Sequence, residues 1–558
     1  MKIFKHLFFY TILLLPFFVA AQNNYLTMGG KEEWLLNRMD IKASTTNLSF
    51  SAIKPFNRKH VVQVTDYWDS LYYVKDKRAK LFTEIDKYNM QRFLMANTEW
   101  NKPKEMYKSE KPLLKYFFTN RANMVEIKDK DFILIANPII QYEQGSKGGN
   151  TKSTFVNRRG IELRGLIDNK IGFHFYFTEN QERYGDYVTA WKNKFLGYPG
   201  GGYVKSFKNG GYDYFDIRGD ITWKVAKFMD MQLAYDRNFI GNGFRSLFLS
   251  DFSTNYMFLK VKTHFGKFEY QNIFAELVSY KKVGSDRIYP RKYFRASYLN
   301  FNATKWLNIG LFEGLILGKT DAISLPLFNP IIFTNVSGNS QDKSYIGADI
   351  KANLLKRVQV YGQLMVDKLK TDELKNDWWG NRFGYQAGVK YIDAFGLKNL
   401  DVQAETNVVR PFTYAANDSV ASYNHYNQPL AHPLGANFKE YIGIVRYQPI
   451  KKLFLEAKLI YYKQGLDSSI MNVNQNYGSN IFSFTSTRPF DYGWKVGSGN
   501  EATCTIISLL ASYEIKENLF FDVALLNRNF KLKNIPSQNT NIISAGIRWN
   551  IGRKEMLF

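Results

Sequence analysis

The sequence predicts an all-β protein: a transmembrane antiparallel β-barrel of the outer-membrane kind, with about 18 strands and an α-helical segment ahead of them. Three observations carry the prediction. Long segments alternate apolar and polar side chains, the connections between them alternate between short turns and long loops, and an export signal is followed by no helix able to span a membrane.

The chain has 558 residues, a formal charge of +25, 37 Tyr, 45 Phe, 39 Gly and one cysteine, Cys504. A lone thiol forms no intrachain disulfide and fits as a small apolar residue. After Lys2 and Lys5, an apolar run from Leu7 to Val19 leads to Val19-Ala20-Ala21, so residues 1–21 read as a signal peptide cleaved before Gln22. No cysteine stands at that junction, which argues against a lipid anchor. No later run of about 18 apolar residues offers a spanning helix.

Residues 22–130 have a different character. Lys31–Ile41 and Leu81–Trp100 carry helical spacing, with Leu81, Ile85, Tyr88 and Met95 on one face and dense charge elsewhere. Such a segment is expected to be a periplasmic cap or plug for a barrel formed by residues 131–558.

Within 131–558 the period is two. Ile543, Ala545, Ile547, Trp549 and Ile551 share one face opposite Ser544, Gly546, Arg548 and Asn550. Ile507, Leu509, Ala511, Tyr513 and Ile515 alternate with Ser508, Ser512 and Glu514, and Leu519, Phe521, Val523 and Leu525 repeat the pattern. Such segments run about 10–13 residues, the reach of a tilted strand crossing a bilayer, against about 5–6 for strands of soluble domains.

Short turns are expected at 168–170, 224–227, 265–267, 302–305, 354–356, 393–398, 449–452 and 516–518, with long loops at 178–213, 318–344, 406–437 and 464–502. Trp223, Trp306, Tyr447 and Tyr513 sit where a girdle at the bilayer interface would need them. Lost alternation around Asn272 and Ile273 fits either a bulge or a different strand boundary. Pro138 removes a ladder donor from the first strand, and Phe558 resembles the terminal aromatic by which outer-membrane barrels are recognised for insertion.

Three stretches attract a functional reading. "HYNQPLAHPLGANFKE", residues 425–440, holds His425, Asn427, His432 and Asn437. The two histidines lack the i, i+4 spacing of a helical metal pair, and no HExxH or Cys/His cluster exists, so no metal or cofactor is assigned. No nucleophile is placed beside them, so no catalytic residue is assigned either. Pro429 and Pro433 fix φ while Asn and Gln side chains can satisfy backbone groups, which suits a loop folded into a lumen.

"DRNFIGNGFRSLFLSD", residues 236–251, crowds Asp236, Arg237, Asn238, Arg245 and Asp251 at a strand end and loop, either to pair with one another inside the barrel or to reach sugar hydroxyls and acidic groups. Its Gly241 and Gly243, without a third glycine or a lysine in place, make a poor phosphate cradle. "WKNKFLGYPGGGYVKSFKNGGYDYF", residues 191–215, offers Trp191 and Tyr203 to stack on sugar rings among lysines that suit carboxylates or lipopolysaccharide phosphates. Nucleic acid is set aside as a partner, because an outer-membrane loop seldom meets it.

The motifs at 236–251 and 425–440, together with this layout, resemble the capsule assembly protein Wzi family, which includes relatives from gliding bacteria. The resemblance implies an 18-stranded barrel with a periplasmic helical bundle that anchors capsular polysaccharide without being an enzyme. Expected partners are surface polysaccharide, outer-membrane lipid and lipopolysaccharide, and other outer-membrane proteins, including those of gliding or adhesion. Two other readings are a porin-like diffusion channel and a structural subunit of a secretion, insertion or gliding complex.

Overall fold

The structure, a computed structural model, describes residues 24–558 apart from 49, 103, 111, 114–115, 148–152, 209, 280–289, 319–324, 334–341, 418 and 471–472. The expected signal peptide lies outside the described residues.

Eighteen long antiparallel strands close into one cylinder. The first nine are β1 Phe132–Lys147, β2 Thr154–Ile167, β3 Ile171–Arg183, β4 Gly211–Ala226, β5 Met229–Asp236, β6 Tyr256–Phe265, β7 Phe268–Val278, β8 Arg291–Asn302 and β9 Leu307–Leu317. The others are β10 Lys343–Leu354, β11 Val358–Lys368, β12 Arg382–Tyr391, β13 Leu400–Val409, β14 Phe438–Ile450, β15 Leu453–Leu466, β16 Asn500–Lys516, β17 Leu519–Leu532 and β18 Gln538–Trp549. Each pairs with the next, and β18 closes on β1 with Ile542 opposite Lys147 and Trp549 opposite Ile140.

The burial pattern reverses that of a soluble sandwich. On β16, Ile507 and Leu509 point outward, 38% and 45% exposed, while Ser508, Ser512 and Glu514 are buried inside. Outward rows such as Ile217 and Ile221, Ile346 and Ile350, and Ile543 and Ile547 repeat this around the wall. In water they would make an apolar patch far beyond what a soluble monomer exposes. In a bilayer they are the lipid contact, and closure leaves no strand edge unpaired.

Every expected short turn is present. Asp168 and Asn169 both take positive φ, 49° and 46°, as do Leu355 and Lys356 at 52° and 56°, the twist that two-residue hairpin loops require. Trp223, Tyr447 and Tyr513 point outward at this end, with Trp306 in its own turn, so the expected aromatics ring the short-turn rim.

Pro138 proves harmless. Its edge of β1 pairs with Val125–Lys128 up to Ala136 and with β18 from Ile140 onward, so Pro138 falls in the gap between partners. Its carbonyl accepts from Asn550 Nδ2 at 2.9 Å, and no ladder bond is lost.

The bulge allowed for at Asn272 and Ile273 is absent, because β7 runs in unbroken register against β6 and β8. Alternation fails there for another reason: Asn272, Arg295, Ser297 and Glu313 point outward yet are buried, because residues Leu325–Phe333 fold down over this part of the wall.

Ahead of the barrel lie α1 Lys31–Ala43, α2 Arg58–Tyr73 and α3 Glu84–Ala96. Thr83 caps α3 in a reciprocal box: its Oγ1 accepts from Asp86 N at 3.0 Å, and the Asp86 carboxylate accepts from Thr83 N at 2.9 Å. Leu36, Met39, Val62, Trp68, Met90 and Leu94 form the core of this bundle. Its helices cover the short-turn end, and Ile53–Lys54 reaches into the barrel to pair with Phe239–Ile240, so the segment is cap and plug at once.

Past β18 the chain turns back into the lumen. Phe558 is buried inside, its ring against Tyr187, Trp191 and Phe252 at centroid distances of 5.7, 6.0 and 5.8 Å. It does not occupy the lipid-facing end of the last strand, where the insertion-signal reading would place it.

Candidate functional site

The barrel interior is filled from three directions. At the short-turn end, Arg38 of α1 donates from Nε to Asp86 at 2.7 Å and from Nη2 to Asp393 at 2.9 Å, and its Nη1 reaches Asp401. Lys42 bonds Asp86 at 2.6 Å and Asp393 at 2.7 Å. Asp40 accepts from Lys351 at 2.8 Å and from Asn353 at 3.1 Å on β10. Burial alone would raise the Asp86 carboxyl, but the charges of Arg38 and Lys42 hold its pKa well below the ordinary range.

At the loop end, the two sequence motifs fold inward and dock on one another. Ser250 N donates to Leu430 O at 2.7 Å, Tyr423 OH to Phe248 O at 2.7 Å and Tyr414 OH to Leu247 O at 2.7 Å. Phe248 stacks on Phe312 of the wall at 4.7 Å with an interplanar angle of 3°. The amides of Phe244 and Arg245 donate to the Glu405 carboxylate at 2.6 and 3.0 Å.

Both histidines serve this lid. His425 Nε2 donates to Asn255 O at 3.0 Å, which leaves Nδ1 to accept from Val278 N at 3.1 Å. Burial pushes the His425 pKa down to about 4, so the ring is neutral. His432 Nε2 meets Glu440 at 2.7 Å while its Nδ1 accepts from Leu434 N at 3.2 Å, and burial lowers its pKa as well. Asn437, at φ 59°, ties the lid to the end of β15 and to the long loop after it: its Nδ2 shares two hydrogens among Gly465 O, Tyr477 O and Ser498 O at 2.9, 2.9 and 2.8 Å. Asn427 Nδ2 donates to Leu196 O at 3.2 Å.

The third filling is the segment that follows β18. Arg553 pairs with Glu143 at 2.9 Å, Lys554 with Glu182 at 3.2 Å, and Glu555 with Lys458. Tyr187 OH donates to Met556 O at 2.7 Å, Arg245 Nη2 to Leu557 O at 2.5 Å and Arg528 Nε to Phe558 O at 2.9 Å. No feature of the sequence announced this, since "RKEMLF" reads equally well as a frayed end.

The remaining candidates divide. Asp236 and Asn238 are buried at the end of β5, where Asp236 lies 3.8 Å from Arg218 and Asn238 Nδ2 donates to Tyr256 OH at 3.3 Å. Arg237 bonds Asp251 O at 3.2 Å and lies 3.5 Å from Asp216. Arg237, Arg245 and Asp251 share a luminal cavity of about 480 Å³ with Lys390, Arg446 and Lys458. Trp191 sits on a loop helix, α4 Asp186–Phe195, and packs inward on Phe252 and Phe558. Tyr203 is 73% exposed and stands apart from the others. Among the described residues no group of three His, Cys, Asp or Glu is disposed to hold a metal ion.

Sequence reading missed a second aromatic surface at the loop end. Trp379 N donates to Asp491 O and Trp494 N to Asp377 O, each at 2.9 Å, which joins loop 369–381 to loop 467–499. Phe490 stacks on buried Trp494 at 4.5 Å, and the Arg488 guanidinium lies 4.0 Å over the Trp379 ring. Tyr492 stands exposed beside them. "DWWG" and "FDYGW" were its signals, separated by more than a hundred residues of sequence.

The family model described as capsule assembly protein Wzi matches residues 240–505, a range that takes in most of the first motif and all of the second. Over that range the chain matches the Wzi family model. Among solved structures, Wzi of Escherichia coli, an outer membrane protein involved in group 1 capsule assembly and described as a carbohydrate-binding β-barrel, is 13% identical with a TM-score of 0.57. The match covers 96% of this chain and 100% of that one, and it shows a common fold. OprD of Pseudomonas aeruginosa is 10% identical with a TM-score of 0.42, over 77% of this chain and 97% of that one. No curated protein matches the sequence. A closed barrel with an apolar outer wall, matched over 240–505 by the Wzi model, is an outer-membrane protein.

Proposed function

We propose that this protein holds surface polysaccharide at the outer membrane as a non-enzymatic anchor in capsule assembly. In this reading the short turns and helices face the periplasm and the long loops face outward. The single observation that carries it is a lumen closed at both ends, with a cavity of about 480 Å³ left inside. Cap, lid and the segment after β18 each occupy it with satisfied hydrogen bonds and ion pairs, an arrangement unsuited to a diffusion path.

What remains for work is the outer surface of the loops, where Tyr203, Phe490 and Tyr492 stand exposed among lysines. Aromatic faces of this kind stack on sugar rings, and a polymer engages many such weak contacts at once, so retention comes from multivalency. The net charge of +25 favours an acidic glycan and predicts release by salt. Lipopolysaccharide and neighbouring outer-membrane proteins are the expected surroundings. Catalysis is unsupported by the histidines, because both ring nitrogens of His425 and of His432 are already bonded within the lid.

The test is deletion of the gene followed by measurement of polysaccharide in the culture medium. Shedding of otherwise normal polymer supports the anchor. Full retention on the cell contradicts it.

A further inference from the structure

Loop 318–342 breaks the rule the other long loops follow. Residues 322–341 contain no charged side chain, in a chain where 22% of residues are charged, and they include the run "LPLFNPIIF" at 325–333. That run lies on the outside of the cylinder. Leu327 is buried against the outward face of β7 to β9, among Phe274, Tyr293, Leu315 and Leu317, and Phe328 packs on Phe274 at 5.4 Å.

Beneath it sits the polar patch that interrupted the sequence pattern. Arg295 Nη2 meets Glu313 at 2.8 Å, and Ser297 Oγ donates to Asn272 Oδ1 at 2.8 Å. The pair is shut away completely, with Arg295 at 0% exposure. Arg295 Nη1 also donates to Asn329 O at 2.8 Å, and Tyr270 OH donates to Pro330 O. The outward polar groups therefore satisfy carbonyls of an irregular segment, the condition under which non-helical backbone is tolerated at membrane depth. Ile331 and Phe333 are 59% and 44% exposed, and Phe328, with one side of its ring on Phe274, keeps 44% of its surface exposed.

We propose that residues 325–333 form a strap embedded in the bilayer against the outer wall, with Phe328, Ile331 and Phe333 in contact with lipid acyl chains and the Arg295–Glu313 pair as its mooring. The occupant is lipid because the strap continues an apolar wall: Met257, Ile309, Leu311 and Ile346, outward on the adjoining strands, are exposed in the same way. A strap built for water would not concentrate three large apolar side chains in six residues with no charge beside them. The strap gives the barrel a side-on hold on the bilayer.

The full-length protein, reconstituted in vesicles, tests this with a nitroxide label at Phe328→Cys, the native Cys504 being buried. Reference labels at Ile346→Cys on the wall and Tyr203→Cys on the exposed loop set the two limits. Collision with dissolved oxygen over a water-soluble nickel chelate should match the wall reference. A label that matches the loop reference overturns the proposal, and so does one shielded from both agents, which would mean that a protein surface covers the strap. In the Arg295→Met/Glu313→Met background the label should move to the loop value; an unchanged label overturns the mooring role of the pair.

Discussion

At the short-turn end the helices are fastened by buried charge, Arg38 and Lys42 against Asp86, Asp393 and Asp401. At the loop end the lid is fastened by rings and backbone bonds, Phe248 on Phe312 and the hydroxyls of Tyr414 and Tyr423 on carbonyls of the opposing motif. Charge networks specify one orientation, since each donor must find its acceptor, and they fail abruptly when a member is removed. Aromatic packing forgives small shifts and resists salt. The end that carries the cap is thus keyed, whereas the end that closes under the loops is packed.

The contrast can be broken from either side, and the largest effects should come from truncating one anchor at each end. Arg38→Ala leaves three carboxylates, Asp86, Asp393 and Asp401, with Lys42 as their one close cation among the described residues and should cost about 3–5 kcal/mol, read as protease cleavage within residues 44–57 while the barrel stays resistant. Phe248→Ala should cost about 3–5 kcal/mol through the cavity it leaves. It should expose loop 410–437 to protease and leave the cap protected.

Acid should separate the ends by pH. The folded pKa of His425, about 4, lies below its ordinary value near 6.5. Between those values the unfolded lid binds more protons, so lid stability falls as pH drops through this window, by about 3 kcal/mol in the limit. Asp86 is also depressed, so its contribution is complete above the ordinary carboxylate range and disappears only as pH falls below it. Hydrogen exchange should therefore show the lid loosening before the cap. His425→Leu sharpens the comparison with the smallest change: it orphans Asn255 O and Val278 N at about 1–3 kcal/mol, and the lid's pH dependence in that window should shrink to the part that His432 contributes.

The wall was legible because lipid and interior impose opposite demands on neighbouring residues, and Ile543 to Asn550 records both. The turns were legible because positive φ selects residues such as Asp168 and Asn169. Helix α2 was not, since "RKHVVQVTDYWDSLYY" mixes β-branched and aromatic residues that favour strands, and tertiary burial of Val62 and Trp68 decides the matter. The patch at Asn272 looked like a bulge because periodicity cannot tell an interrupted strand from a covered one. The candidate ligand residues His425, Asn427, His432 and Asn437 all lie in a loop folded into the lumen, with side chains bonded to neighbouring loops and wall. Trp378, Phe490 and Tyr492 were missed because their loops meet only in space.

The central claim is that the lumen is closed and the function lies outside it. Single-channel recording in planar bilayers tests that claim most directly, with the intact protein beside a variant lacking residues 551–558. The account predicts a silent intact protein and stepwise conductance once the contacts of Arg553 with Glu143 and of Lys554 with Glu182 are removed; steady ohmic conductance through the intact protein would contradict it.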